Sequence, residues 1–143
     1  MIEAVLDTNV RVSGIVGIPR AASTPGELLR PWHAGAYVLV VSEPILSELA
    51  RTLADPYVTA RLRPFEVEAA LAGLRARAVF QPITVPVDGV ATRPKDDLVL
   101  AAAVNAGTAY LVTGNRPLHA IGHYEGITIL SPRQFLDVLE SNT

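Results

Sequence analysis

Short, mainly apolar runs alternate with longer stretches of helical periodicity along this chain. Ile2, Ala4, Val5 and Leu6 form the first run, long enough for one buried strand. It stops at Asp7-Thr8-Asn9, three small polar residues that suit a strand end and a helix start. Val10 to Ile15 is expected to form a short helix or turn. Thr24-Pro25-Gly26-Glu27 reads as an N-cap, a first-turn proline and an acidic third residue, opening a helix to about His33. Gly35 stops it, and Trp32 reads as a packing aromatic. Val38 to Val41 is a second buried strand, β-branched and uncharged.

Ser42 caps the next helix, with Glu43 and Pro44 in its first turn. Ile45, Leu46, Leu49 and Leu53 make its apolar face, and Glu48 falls about 60° outside that arc, on its flank. Asp55-Pro56 breaks the chain before a short helical segment to Arg63. Pro64 starts a longer helix with a stripe of Val67, Leu71, Leu74 and Ala78. Ile83-Thr84-Val85 predicts a short strand between Pro82 and Pro86, whose prolines point to an edge of the sheet or an early exit from it.

Asp88-Gly89 turns, and a loop leads to Lys95-Asp96-Asp97. The helix that follows, through Val104, is apolar on nearly every side and is expected to be buried. Its two aspartates suit the helix N-terminus by capping free N–H groups and complementing the dipole, but two side by side exceed what capping needs. Asn105-Ala106-Gly107 ends this helix. Ala109 to Val112 is a strand ending in Thr113-Gly114-Asn115, Pro117 to Ile121 a short helix, and Ile127 to Leu130 the last strand. Ser131-Pro132-Arg133-Gln134 is a capping box opening the final helix with Phe135, Leu136, Val138 and Leu139. This alternation predicts one domain over residues 1–143, an α/β three-layer α/β/α sandwich on a mainly parallel sheet of four or five strands.

Composition narrows the chemistry. The absence of cysteine removes disulfides, thiolate zinc sites and cysteine nucleophiles together. With 50% hydrophobic and 18% charged residues, the chain is expected to fold rather than stay disordered. It has no uninterrupted apolar run of about 18 residues and no signal-like start, so a cytoplasmic protein without a membrane segment is expected. A net charge of −2 gives no global basic footprint for nucleic acid. Of the twelve basic residues only Lys95 is lysine; arginine suits phosphate recognition, though solvated charged faces are the ordinary case. His119 and His123 have i, i+4 spacing without the glutamate of a zinc-protease helix, and read as surface histidines. Lys95 reads as solvated, with a phosphate contact the alternative.

In an open α/β sheet, groups that follow strands share the carboxyl edge, where ligands and chemistry gather. Asp7, Ser42 and Thr113-Gly114-Asn115 all follow strands, and the loop before Asp96 and Asp97 is expected to pass the same edge. Glu48, two turns into its helix, is near enough to reach across. The expected pocket holds three or four carboxylates and one amide. Carboxylates placed together repel one another unless a cation compensates. An oxygen-only donor set suits Mg²⁺ or Mn²⁺, the usual apparatus of phosphodiester hydrolysis.

At these residues the chain resembles the PIN domain (PilT N-terminal) family, of the kind found as ribonuclease toxins of toxin–antitoxin pairs. The resemblance covers nearly the whole chain. It rests on Val5-Leu-Asp-Thr-Asn-Val10, Ser42-Glu-Pro-Ile-Leu-Ser-Glu-Leu49, Pro94-Lys-Asp-Asp-Leu98, Tyr110-Leu-Val-Thr-Gly-Asn115 and Gly126-Ile-Thr-Ile-Leu-Ser-Pro-Arg-Gln-Phe-Leu136. It implies a metal-dependent endoribonuclease with its first acid at Asp7, its second at Glu48 and its third at Asp96, with Asp97 the alternative one residue on. The position of the family's fourth acid holds Asn115, which brings no negative charge and bears on a second metal more than on the first. Metal ligands are thus expected among Asp7, Glu48, Asp96, Asp97 and Asn115, with Thr8, Asn9, Ser42 and Thr113 orienting ligands or substrate. The implied reaction is attack of a metal-activated water on an RNA phosphate, leaving a 5′-phosphate and a 3′-hydroxyl. The implied partners are RNA and a cognate antitoxin; independently of the resemblance, a homodimer is the ordinary oligomer expected of a small cytosolic domain.

Two other readings fit parts of the pattern. Asp7-x-Asn9, Ser42, Lys95 and the Asp96-Asp97 pair loosely resemble a haloacid-dehalogenase-like phosphatase, although that class normally has a second acid where Asn9 stands and passes through an aspartyl-phosphate. With Asn115 in place of an acid, a PIN-like domain that binds RNA or a partner without cutting is the non-enzymatic alternative.

Overall fold

The computed structural model describes residues 2–7, 31–32, 34–60, 62–91 and 93–141. The expectations for Thr8, Asn9, the 10–15 segment and most of the 24–33 helix lie outside the described residues.

The described strands are β1 (Glu3–Leu6), β2 (Val38–Val41), β3 (Val79–Phe80), β4 (Tyr110–Val112), β5 (His123–Tyr124) and β6 (Ile127–Leu130). They form one sheet in the order β3-β2-β1-β4-β6-β5. Every ladder is parallel except β5 against β6. The helices are α1 (Glu43–Leu53), α2 (Pro56–Thr59), α3 (Pro64–Arg77), α4 (Pro94–Ala106), α5 (Arg116–Ile121) and α6 (Pro132–Ser141).

Alternation along the strands divides the core into two layers, because successive side chains point to opposite faces. Ala4, Leu6, Leu39, Val41 and Val112 pack with Leu46, Leu49 and Leu53 of α1, Leu74 of α3, and Phe135, Leu136 and Leu139 of α6. Val5, Val40, Leu111, Ile127 and Ile129 pack on the other face with Val99 to Ala103 of α4 and Leu118 of α5. Trp32 is buried in the first layer, as expected. Tyr37, also there, meets Phe135 edge-on with ring centroids 5.0 Å apart. Both strongly signalled helix starts form: Ile45 N donates to Ser42 Oγ at 3.4 Å. At α6, Ser131 N donates to Gln134 Oε1 at 2.8 Å while Gln134 N donates to Ser131 Oγ at 3.1 Å.

The structure departs from the pattern in four places. The sheet has six described strands rather than four or five. The edge strand is Val79–Phe80, and Ile83–Val85 is not a strand. The Asn105 side chain takes a strand partner's place there: its Oδ1 accepts from Thr84 N and Val85 N, both at 2.9 Å, and its Nδ2 donates to Val85 O at 2.8 Å. The helix after Asp55 stops at Thr59 instead of reaching Arg63. In α3 only Leu74 is buried, so the stripe of Val67, Leu71 and Ala78 is half-covered, and Phe65 is 64% exposed.

No helix among the described residues is long and apolar enough to cross a membrane.

Candidate active site

β1 and β4 lie side by side in parallel register, with Leu6 opposite Val112. The next residue on each strand, Asp7 and Thr113, therefore leaves the sheet at the same place. Asp7 N continues the ladder to Val112 O at 2.9 Å. The Thr113 hydroxyl, fully buried, donates to Asp7 Oδ2 at 2.8 Å. The same hydroxyl accepts from Asn115 N at 3.0 Å, so one oxygen locks both the Asp7 carboxylate and the turn after β4. His119 braces that turn from α5, its Nε2 against the Thr113 carbonyl; in that pairing Nε2 carries the proton and donates. It is half-buried, contrary to the surface reading. The ring reaches back to β4 rather than along its own helix, a long-range contact that local spacing does not signal.

The Asn115 amide extends the chain to α4. Its Nδ2 lies 3.4 Å from both oxygens of Asp96, a long contact. Its Oδ1 is buried and has no hydrogen-bond partner among the described residues, an arrangement that calls for a ligand because an unmatched buried acceptor is costly. Asp96 is itself buried and its Oδ2 is 3.3 Å from Arg93 Nε.

Neither aspartate caps α4: its N-cap is Arg93, with no side-chain cap bond. Asp97, next to Asp96, is turned the other way. Its carboxylate accepts from Gly89 N at 3.1 Å, Val90 N at 3.2 Å and Ala91 N at 2.7 Å, closing the loop before α4. Three backbone donors occupy its oxygens, so between the two adjacent acids Asp96 is the one with a carboxylate facing Asn115.

Ser42 is fully buried at the end of β2 and serves as the α1 cap. Glu48 is half-buried on α1. It lies one turn beyond Ile45, which packs with the α4 residues, so its position is on the side of α1 that meets α4. Among the described residues no three His, Cys, Asp or Glu side chains stand close enough to hold one ion. The structure links Asp7, Thr113, Asn115 and Asp96 through hydrogen bonds, and Glu48 stands on α1 beside that line's α4 end. Two buried carboxylates and an unmatched amide oxygen nonetheless make an all-oxygen donor set suited to a hard divalent cation.

Fold and site together define an α/β protein with a mainly parallel sheet and an acidic, oxygen-lined site at its carboxyl edge. The chain belongs to the PIN domain family, whose profile matches residues 3–117. Among curated proteins, nothing matches the sequence significantly. Among solved structures it is similar to VapBC2 from Rickettsia felis bound to a DNA fragment from their promoter, at 15% identity and a TM-score of 0.59, covering 91% of this chain and 98% of that one. It is also similar to PAE2754 from Pyrobaculum aerophilum, at 15% identity and a TM-score of 0.62, covering 98% and 90%.

Proposed function

We propose that the protein is a divalent-metal-dependent endoribonuclease, acting in the cytoplasm as the toxin of a toxin–antitoxin pair. The observation that carries the nuclease reading is the hydrogen-bonded line Asp7–Thr113–Asn115–Asp96, with the unmatched Asn115 Oδ1 within it. Membership of the PIN domain family, generally nucleases, supports the reaction class. The likeness to VapBC2 supports a partner protein encoded beside it, and a homodimer is the oligomer we assign.

Asp7, Asp96 and Asn115, with Glu48 from α1, are the groups that would hold Mg²⁺ or Mn²⁺. Bound there, such an ion supplies Lewis-acid polarisation of a phosphate oxygen and a water nucleophile at neutral pH. The protein's own part is preorganisation. Thr113 occupies one oxygen of Asp7 and fixes that carboxylate's rotation, while burial keeps bulk water from competing for it. Asn115 adds an oxygen donor without adding a fourth negative charge. Asp97 takes no part in the reaction and holds the loop that leads into α4.

The test is cleavage of a labelled single-stranded RNA with Mg²⁺ or Mn²⁺, beside EDTA and beside Asp7→Asn. Cleavage is expected to vanish in EDTA and to fall about 100-fold or more in Asp7→Asn. Thr113→Val is expected to lose about 10- to 100-fold in metal affinity or activity. Folded protein, free of any inhibitor, that binds the ion yet leaves RNA intact would instead identify a binding module, and an aspartyl-phosphate trapped from a phosphate ester would identify a phosphatase.

A further inference from the structure

Among the described residues, Arg93 is a basic side chain paired with an acid of this edge. Its Nε is 3.3 Å from Asp96 Oδ2. The carboxylate is buried while the arginine side chain is 50% exposed, so the arginine spans from the buried acid to solvent. Its Nη groups have no hydrogen-bond partner among the described residues, which leaves the outer edge of the fork open. The backbone beneath it is held, since Asp97 pins residues 89–91 just upstream and Pro94 follows directly.

These features combine into one function. A single 3.3 Å contact from a half-exposed arginine is weak and readily exchanged. A divalent cation binding Asp96 competes for the same oxygen, and the guanidinium it releases can pair bidentately with a phosphate. The chain's net charge of −2 provides no overall attraction for RNA, so phosphate binding has to come from local cations.

We propose that Arg93 is a displaceable counterion and phosphate-contacting residue: it neutralises Asp96 in the cation-free site and presents its guanidinium to an RNA phosphate once a cation takes Asp96. This rests on the nuclease reading above. Arg116, exposed one residue beyond Asn115, makes no ion pair with Asp96 and is the control for a general loss of positive charge.

The experiment pairs Mn²⁺ titration by calorimetry, without RNA, with steady-state cleavage over a range of salt. Arg93→Met is expected to bind Mn²⁺ about two- to fivefold more tightly than the unaltered protein. Its KM for RNA is expected to rise about tenfold with kcat within about twofold, and the log–log salt slope to fall by about 0.7. Arg93→Lys is expected to restore the salt slope and part of the KM, and Arg116→Met to change Mn²⁺ affinity less than Arg93→Met does. Unchanged or weaker Mn²⁺ binding in Arg93→Met overturns the proposal, as does an unchanged KM or an equal effect of Arg116→Met. If the unaltered protein neither binds Mn²⁺ nor cuts RNA, the nuclease reading falls and takes this one with it; active unaltered protein with an indifferent Arg93→Met removes this one alone.

Discussion

Asp96 and Asp97 are neighbours with opposite tasks, and substitution separates them. Asp97 accepts three backbone N–H groups, and hydrogen bonds to a charged acceptor are worth about 1.5–3 kcal/mol each, less than additively. Asp97→Ala is therefore expected to destabilise the fold by about 2–4 kcal/mol in a urea titration. Asp96→Ala is expected to change stability by less than about 1 kcal/mol in EDTA, since its partners are one exposed arginine and a long amide contact, yet to lose cleavage. The reverse ranking of the two variants would reverse the assignment of the third acid. Periodicity leaves these roles undivided, because both residues lie in the first turn of one helix. What divides them is the loop at 89–91, whose unpaired N–H groups come within reach of one side chain and not the other.

At the scale of elements, the sheet edge near 79–85 shows a side chain replacing a strand. Asn105, in the last turn of α4, satisfies the backbone of Thr84 and Val85 and also donates to Ala101 O at 2.8 Å. Asn105→Ala is expected to cost about 2 kcal/mol and to speed amide hydrogen exchange at Thr84 and Val85 well above that of β2. A loss of stability with unchanged exchange at those two amides would mean that the segment is held by something else. The proline-flanked apolar triplet at 83–85 resembles a strand in composition, but its hydrogen bonds go to an amide side chain 20 or 21 residues away. By contrast, β2 with the Ser42 cap and the Ser131–Gln134 box were readable, because each depends on residues within a few positions of one another.

Across the whole molecule, the two core layers meet the site only at the carboxyl edge, where β1, β4 and α4 converge. A cation bound by the folded protein and not by the unfolded chain stabilises it by mass action. At an Mn²⁺ concentration about 100 times its Kd, Tm is expected to rise by about 5–10 °C. The rise should be lost in Asp7→Asn; an equal rise in that variant would place the ion elsewhere. The sequence by itself determined the alternating architecture, the burial of α4 and the identities of Asp7, Thr113, Asn115 and Asp96 as edge residues, since apolar period and strand ends are local properties of the chain. The tertiary structure alone decided that the Thr113 hydroxyl reaches an acid 106 positions away, that His119 turns back onto β4, and that Asp97 turns to the 89–91 loop while Asp96 faces Asn115. Those outcomes depend on which elements the parallel crossovers set side by side, and on angstrom-scale side-chain reach that no local pattern encodes.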